Sequence, residues 1–245
     1  MGKLAKKIRR MENFKALGDY LPDDHSGRQT LDSYIREAAS QFPDSFTILD
    51  LGCGEGDSID LFKNAAPTAI WHGVDIEDSP EVRMRTRANQ SIETFDGVNL
   101  PFPDANFDLI FCNQVLEHVR YPDRLVAEAF RVLKPAGVFA GSVSYLEPFH
   151  SYSIFNFTPY GIISVFSDAG FEVREIRAGA DASVLINRQL FYRSTIARFA
   201  WNHNYLHFVC DLIGGVFRLG HRERNFLKVQ FAGHLFFLAS RPQGV

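Results

Sequence analysis

Residues 47–56 read Thr-Ile-Leu-Asp-Leu-Gly-Cys-Gly-Glu-Gly. The apolar, β-branched run Thr47 to Leu51 has the pattern of a buried strand, with Asp50 near its end. Glycines follow at alternate positions, Gly52, Gly54 and Gly56, and Asp57-Ser58 then lead into Ile59-Asp60-Leu61-Phe62, the start of an amphipathic helix. Glycine suits such a turn because the backbone must bend sharply and let a ligand approach with no Cβ in the way. A pyrophosphate-binding turn reads Gly-x-Gly-x-x-Gly and presents a helix N-terminus to the phosphates. Here the spacing is Gly-x-Gly-x-Gly, and an acid two residues before the first glycine would repel a pyrophosphate and suit an amino group.

Two more acids close later apolar runs. Ala69 to Val74 reads as a second strand and ends on Asp75-Ile76, 19 residues beyond Gly56. An acid at that tip can accept both hydroxyls of a ribose, although a strand-end Asp is also common in its own right. Ser91 to Phe95, a third strand, ends on Asp96-Gly97, and the buried fourth, Phe107 to Cys112, runs into Asn113. Two histidines are candidates to take a proton near neutral pH. His118 follows the fourth strand closely. His150 lies in Pro148-Phe149-His150-Ser151-Tyr152, after the fifth strand, where a lone loop histidine is more often incidental.

The elements around these residues alternate. Thr30 to Phe42 has helical spacing and stops at Pro43-Asp44. Pro80 to Ala88 is a polar helix, and Val126 to Leu133 is a helix stopped by Lys134-Pro135-Ala136-Gly137. Val138 to Val143 is a fifth strand. Pro159 to Ala169 is a helix capped by Gly170, Phe171 to Ile176 a sixth strand, and Ala232 to Ala239 the closing strand. Strands alternating with helices predict an α/β fold built on a mostly parallel sheet. Residues 1–27 are polar and basic with turn formers at Leu21-Pro22-Asp23-Asp24, and are expected to be a flexible segment ahead of one domain spanning 28–245.

Composition sets outer bounds. A chain of 245 residues, 46% hydrophobic and 22% charged, is one domain with decoration. Its three cysteines, Cys53, Cys112 and Cys210, form no Cys-x-x-Cys pair, which argues against a disulfide framework or a zinc site and for a reducing compartment. The net charge of −3 conceals an asymmetry: the first ten residues carry five basic residues and no acid, and residues 188–228 carry seven basic against two acidic. Such patches attract anionic lipid, nucleic acid or phosphorylated substrates, and otherwise are solvated faces. No apolar h-region follows the basic start and no run approaches a membrane span, so the chain is expected to be cytoplasmic.

The run from Asp50 to Gly56 resembles motif I of the class I S-adenosylmethionine-dependent methyltransferases. The block from Asp96 to Gly137 extends the likeness: Asp96, Leu100-Pro101-Phe102, Phe107-Asp108, Leu116-Glu117-His118 and Arg131-Val132-Leu133-Lys134-Pro135 are similar to one broad group, the type 11-like methyltransferases. Ala136 departs from it, where that group has glycine. The likeness spans roughly residues 45–180. It implies a Rossmann-like, seven-stranded, mostly parallel sheet with helices on both faces. The last strand would be antiparallel and inserted between the fifth and sixth. It implies S-adenosyl-L-methionine as cofactor, with Asp50, Gly52, Gly54, Gly56, Asp75 and Ile76 around it, Asp96 on the adenine amino group, Gly97 near the ring and Asn113 beside the methionine moiety. His118 belongs to the group's usual pattern whatever the substrate.

The transfer is an in-line displacement at a sulfonium, so the protein chiefly supplies alignment, and a hydroxyl acceptor also needs a base, His118 or His150. Enzymes that methylate base amines or glutamine amides carry Asn/Asp-Pro-Pro-aromatic where this chain has Asn113-Gln114-Val115-Leu116, so no nucleic-acid partner is expected, and with no metal-ligand cluster evident in the sequence no metal is expected either. Residues 147–161 are similar to methyltransferases of glycan assembly, which implies a small-molecule or glycan acceptor and most simply O-methylation. The alternatives are a non-catalytic binding protein on the same fold and an NAD-dependent oxidoreductase.

Residues 180–229 form a helical insertion before the last strand. Tyr205, Phe208, Val209, Leu212, Ile213 and Val216 make an apolar stripe on one side of a helix. The first expectation is a lid with the stripe buried against the sheet. The second is peripheral contact of residues 185–228 with the inner face of a membrane. Oligomeric state is open.

Overall fold

The computed structural model describes residues 2–42, 45–84, 92–191 and 204–244. The helix stop at Pro43-Asp44, the far part of the helix expected over Pro80 to Ala88, and residues 192–203 of the insertion lie outside them.

Among the described residues the strands are β1 (Thr47–Leu51), β2 (Ile70–Ile76), β3 (Ile92–Phe95), β4 (Phe107–Asn113), β5 (Leu133–Ser144), β6 (Glu172–Ala178) and β7 (His234–Ser240). They form a seven-stranded sheet in the order β3-β2-β1-β4-β5-β7-β6. β1 to β5 pair parallel, with Asp50 level with Gly73 and Phe111. β7 runs the other way: the Arg241 amide donates to the Gly137 carbonyl while the Tyr145 amide donates to the Gly233 carbonyl. The Rossmann-like order and the antiparallel last strand thus stand as the resemblance implied. Ile48, Leu49 and Leu51 of β1 and Leu109, Ile110 and Phe111 of β4 have no exposure. Such continuous burial is what strands covered on both faces require.

The helices are α1 (Lys3–Arg9), α2 (Glu12–Leu17), α3 (Leu31–Ala39), α4 (Ser58–Ala65), α5 (Pro80–Met84), α6 (Pro122–Val132), α7 (Pro159–Asp168), α8 (Ala182–Leu190), α9 (Tyr205–Val216) and α10 (His221–Val229). None of the described helices is long and apolar enough to cross a membrane.

The chain folds into two compact units. The first comprises Leu31–Ser142, Ile163–Arg174 and Leu238–Val245. Its aromatic core includes Phe62 edge-on to Phe111 at 5.4 Å and Phe139 edge-on to Phe166 at 5.0 Å. Several residues that carry the family likeness turn out to be fasteners here. Arg131 donates to Glu128, to Asp104 and to the carbonyls of Leu100 and Phe102, which pins the loop before β4. Asp108 accepts from the Thr47 amide, the Thr47 hydroxyl and the Lys134 ammonium, each at 2.8 Å.

The second unit comprises Met1–Thr30, Val143–Ile162 and Glu175–Phe237. The N-terminal segment is built into this unit, which takes in the chain as far as Thr30. Ile8, Phe14 and Leu21 are buried. Phe14 meets Phe226 edge-on at 5.1 Å, Arg9 pairs with buried Glu223, and Asn225 donates to the carbonyls of Pro22 and His25. The high proportion of charge in residues 1–27 obscured these apolar anchors. Asp181, fully buried, caps two helices at once: one oxygen accepts from the Val184 amide of α8, and the other from the Leu206 and His207 amides of α9.

The insertion corrects the lid expectation. α9 turns its small and polar side inward, with His207, Cys210 and Gly214 buried, and leaves Tyr205, Phe208, Val209, Leu212 and Val216 exposed. Gly214 has no room for a side chain, since a Cβ there would come 2.7 Å from Arg224 Nε. Asp211, half exposed at the edge of that side, pairs with buried Lys228 at 2.8 Å. A buried ammonium must be paired, so the ion pair decides which face packs.

Candidate functional site

The loops after β1, β2, β3 and β4 carry the expected ligand-binding residues, and all lie in the first unit. Gly52, Gly54 and Gly56 have φ of 72°, 52° and 83°, in the left-handed region that glycine occupies without strain. At Gly52 the need is internal, because a Cβ would meet Val115 Cγ2 at 2.4 Å. The Gly52 and Cys53 amides both donate to the Val74 carbonyl, which folds the turn over the end of β2.

Asp75 organises the turn from β2. One carboxylate oxygen accepts the Gly54 amide at 2.6 Å and the other accepts the Ile76 amide at 2.7 Å. These bonds hold the Asp75 carboxylate against the turn. Asp50 is buried, and burial pushes its carboxyl up to about 7 against the Ser58 hydroxyl that donates to it. The glycine turn is therefore framed by two buried carboxyls, one of them poised to gain or lose a proton near neutral pH.

Ile76 is exposed, and at Gly97, φ 88°, the one described atom within 4 Å of an added Cβ would be Ile76 Cγ2, at 3.9 Å. That pairing makes a small apolar shelf beside polar backbone. Asp96 also secures its own loop. Its carboxylate accepts from the Val98 and Asn99 amides and from the Asn99 side chain, tying its own loop, and these bonds hold its pKa below the usual carboxylate range. Asn113, at the end of β4, accepts the Ser142 hydroxyl at 2.6 Å. Its neighbour Gln114 sits at φ 57° and donates to Ser142 through both amide and side chain. A non-glycine residue held in that conformation marks a constrained corner, and nothing in the sequence pattern pointed to it. His118 closes a 3₁₀ turn, Leu116–His118, its amide donating to the Val115 carbonyl.

Residues 49–141 match the family model described as a methyltransferase domain. A probable S-adenosylmethionine-dependent methyltransferase of Mycolicibacterium smegmatis is 32% identical over 140 residues, 52% of this chain and 52% of that one. Residues 49–141 thus form a methyltransferase domain similar to those of S-adenosylmethionine-dependent enzymes. The 27-O-demethylrifamycin SV methyltransferase of Amycolatopsis mediterranei is 32% identical over 102 residues, 38% of this chain and 36% of that one. Among solved structures, a putative methyltransferase from Bacillus halodurans superposes with a TM-score of 0.58 at 16% identity, covering 88% of this chain and all of that one. The match spans about half the length of the Mycolicibacterium relative.

The methyltransferase domain's residues fit their cofactor. S-adenosylmethionine carries a cationic sulfonium, an α-amino group, a ribose and an adenine, and no phosphate. The turn offers it two carboxyls, Asp50 and Asp75, an uncrowded Gly97 and the exposed Ile76, whereas a pyrophosphate would face the acid at Asp50.

The second unit adds a cluster that the spacing had concealed. Glu147 and His150 share one loop and His234 lies 87 positions beyond Glu147, yet their ligand-capable atoms lie within 4.8 Å of one another. A single oxygen of Glu147 accepts the Ser144 hydroxyl at 2.9 Å, His150 Nδ1 at 2.9 Å and His234 Nε2 at 3.0 Å. Glu147 is only 4% exposed. Burial opposes its ionisation, but hydrogen bonds from His150 and His234 prevail and hold its carboxyl well below the usual range. One carboxylate and two imidazoles also make a ligand set for a divalent cation. With three donors on one oxygen, however, the cluster satisfies itself. Around it, the loop after β5 exposes Phe149, Tyr152, Phe155 and, at the start of α7, Tyr160.

Proposed function

We propose that this chain transfers a methyl group from S-adenosylmethionine to a hydroxyl of a small-molecule or glycan acceptor, with His150 as the base. The hydrogen bond from His150 to Glu147 carries the reading. An ionised carboxylate only accepts, so the proton on that side of the ring belongs to Nδ1, and a neutral imidazole in that tautomer has its basic lone pair on Nε2. Glu147 and His234 act as positioning residues. When bound, the cofactor supplies a methyl group activated on a sulfonium. Asp75 would accept its ribose hydroxyls, Ile76 and Gly97 would border the adenine, Asp96 would meet the adenine amino group, Asp50 would face the α-amino group and Asn113 would lie beside the methionine moiety. The aromatic side chains exposed after β5 suit the apolar face of a sugar or a ring-bearing acceptor. The Amycolatopsis relative, whose name places its methyl group on an oxygen, agrees with the chemistry.

Protein incubated with methyl-labelled cofactor and a cell extract, then separated into lipid, glycan, protein and small-molecule fractions, tests the acceptor. Label in the glycan or small-molecule fraction, in a bond stable to alkali, is expected; label confined to protein would refute the reading. His150→Ala is expected to lower kcat by about 10²–10⁴-fold, the usual span for a lost general base, with cofactor affinity unchanged. Because the Glu147 cluster is read as a hydrogen-bonded one, chelator treatment should leave the rate as it was. Loss of activity with chelator, restored by a divalent cation, would make the cluster a metal centre instead.

A further inference from the structure

α9 is amphipathic the wrong way round for a helix that only covers a core. Phe208 is 68% exposed, Leu212 57% and Val216 68%, and Tyr205, Val209 and Phe217 extend the same apolar strip. Five of these six lie within the helix and Phe217 caps it. A strip of this size on the surface of a protein marks a binding face. Its inner side is fixed by the Asp211–Lys228 pair, by Gly214 against Arg224 and by the double cap at Asp181, so the helix cannot roll to bury the strip without breaking those contacts.

Cationic side chains lie at one end of that strip. A groove at the C-terminal end of α9 is lined by Val216, Phe217 and Arg218 together with Gly2, Lys3 and Leu4 from the start of α1. α1 buries Ala5 and Ile8 and presents Lys3, Lys6 and Lys7 outward, followed by Arg10. Lys3, Lys6, Lys7, Arg10 and Arg218 form no ion pair with any described residue. All of these residues belong to one unit.

We propose that α9 and α1 together form a docking face for an anionic bilayer, the apolar strip entering the boundary between headgroups and acyl chains and the basic residues meeting the headgroups. The arrangement matches what an interfacial helix needs, an apolar side for the acyl boundary with cationic residues beside it. Charge selects this occupant. A second copy of the chain would bring a second cluster of unpaired cations against the first, and like charges in register oppose association. The inference stands on this surface alone and does not depend on the methyltransferase reading.

Sedimentation of the full chain with vesicles of neutral lipid, and of neutral lipid mixed with an anionic phospholipid, tests it. Binding to the anionic vesicles at low salt, weakened at high salt, is expected. Phe208→Asp and Leu212→Asp should each reduce the bound fraction at least tenfold with the melting temperature unchanged, because both side chains are already in water. Lys6→Glu combined with Lys7→Glu should reduce it as well while leaving the strip intact. No binding to anionic vesicles at low salt would overturn the proposal. So would binding that survives both aspartate variants, which would reduce the face to nonspecific charge, or a lowered melting point in them, which would mean the strip is buried. Dimers on size exclusion that Leu212→Asp dissociates, without vesicle binding, would identify the face as a contact between copies and also refute it.

Discussion

Asp50 holds its proton in the folded chain to about pH 7 because burial disfavours the charged form, whereas the unfolded chain gives it up near the ordinary value of 3.8. The folded state thus binds the extra proton between those values. Asp50 therefore costs stability progressively as pH rises from about 4 to about 7, and no further beyond. A cationic amino group beside it would favour the ionised form. We expect S-adenosylmethionine to bind more tightly as pH rises from 5 to 8, with proton uptake by buffer detectable by calorimetry in buffers of different ionisation enthalpy. A pH-independent affinity would remove Asp50 from the amino-group role. Asp75→Ala should weaken cofactor binding by about 1–3 kcal/mol, the cost of hydrogen bonds to a charged acceptor, and an unchanged affinity would take Asp75 out of the site. Ala136 tests the departure from the family pattern. It sits at φ 63°, where an L side chain costs about 1–2 kcal/mol and glycine nothing, part of which glycine gives back through its greater freedom when unfolded. Ala136→Gly should raise stability by about 0.5–1 kcal/mol, read from the denaturant midpoint.

At the scale of elements, the strands were legible because burial on both faces leaves an unbroken apolar run, as in Thr47 to Leu51 and Phe107 to Cys112, bounded by glycine or polar residues. The face a helix buries was not legible. The stripe on α9 is plain in the sequence, but its direction is set by contacts with another helix, where Lys228 pairs with Asp211 and Arg224 packs on Gly214. Asp181 was equally hidden, since its hydrogen bonds reach residues 25 and 26 positions later in the chain. It holds the N-termini of α8 and α9 together, and Asp181→Ala should cost about 2–4 kcal/mol because several buried amides lose their acceptor. A melting temperature within a degree of the parent would show that those amides find other partners. The N-terminal helices escaped for a related reason: Ile8, Phe14 and Leu21 are too widely spaced among charged residues to register as a periodic face.

Across the whole molecule, each unit carries a different part of the chemistry. The first holds the glycine turn and the acids at the carboxyl ends of parallel strands, the edge where open α/β sheets bind ligands. Those residues stand out in the sequence because they follow one another at fixed offsets from strand ends. The Glu147, His150 and His234 cluster of the second was readable only in part, since the chain returns His234 to Glu147 across 87 positions. The central claim is that the glycine turn binds S-adenosylmethionine and not a dinucleotide. Titration calorimetry of the purified chain with S-adenosylmethionine, its demethylated product and NAD tests that most directly. Micromolar binding of the first two, on the order of −8 kcal/mol, and none of NAD is expected. Folded protein that binds NAD and ignores both sulfur ligands would contradict it.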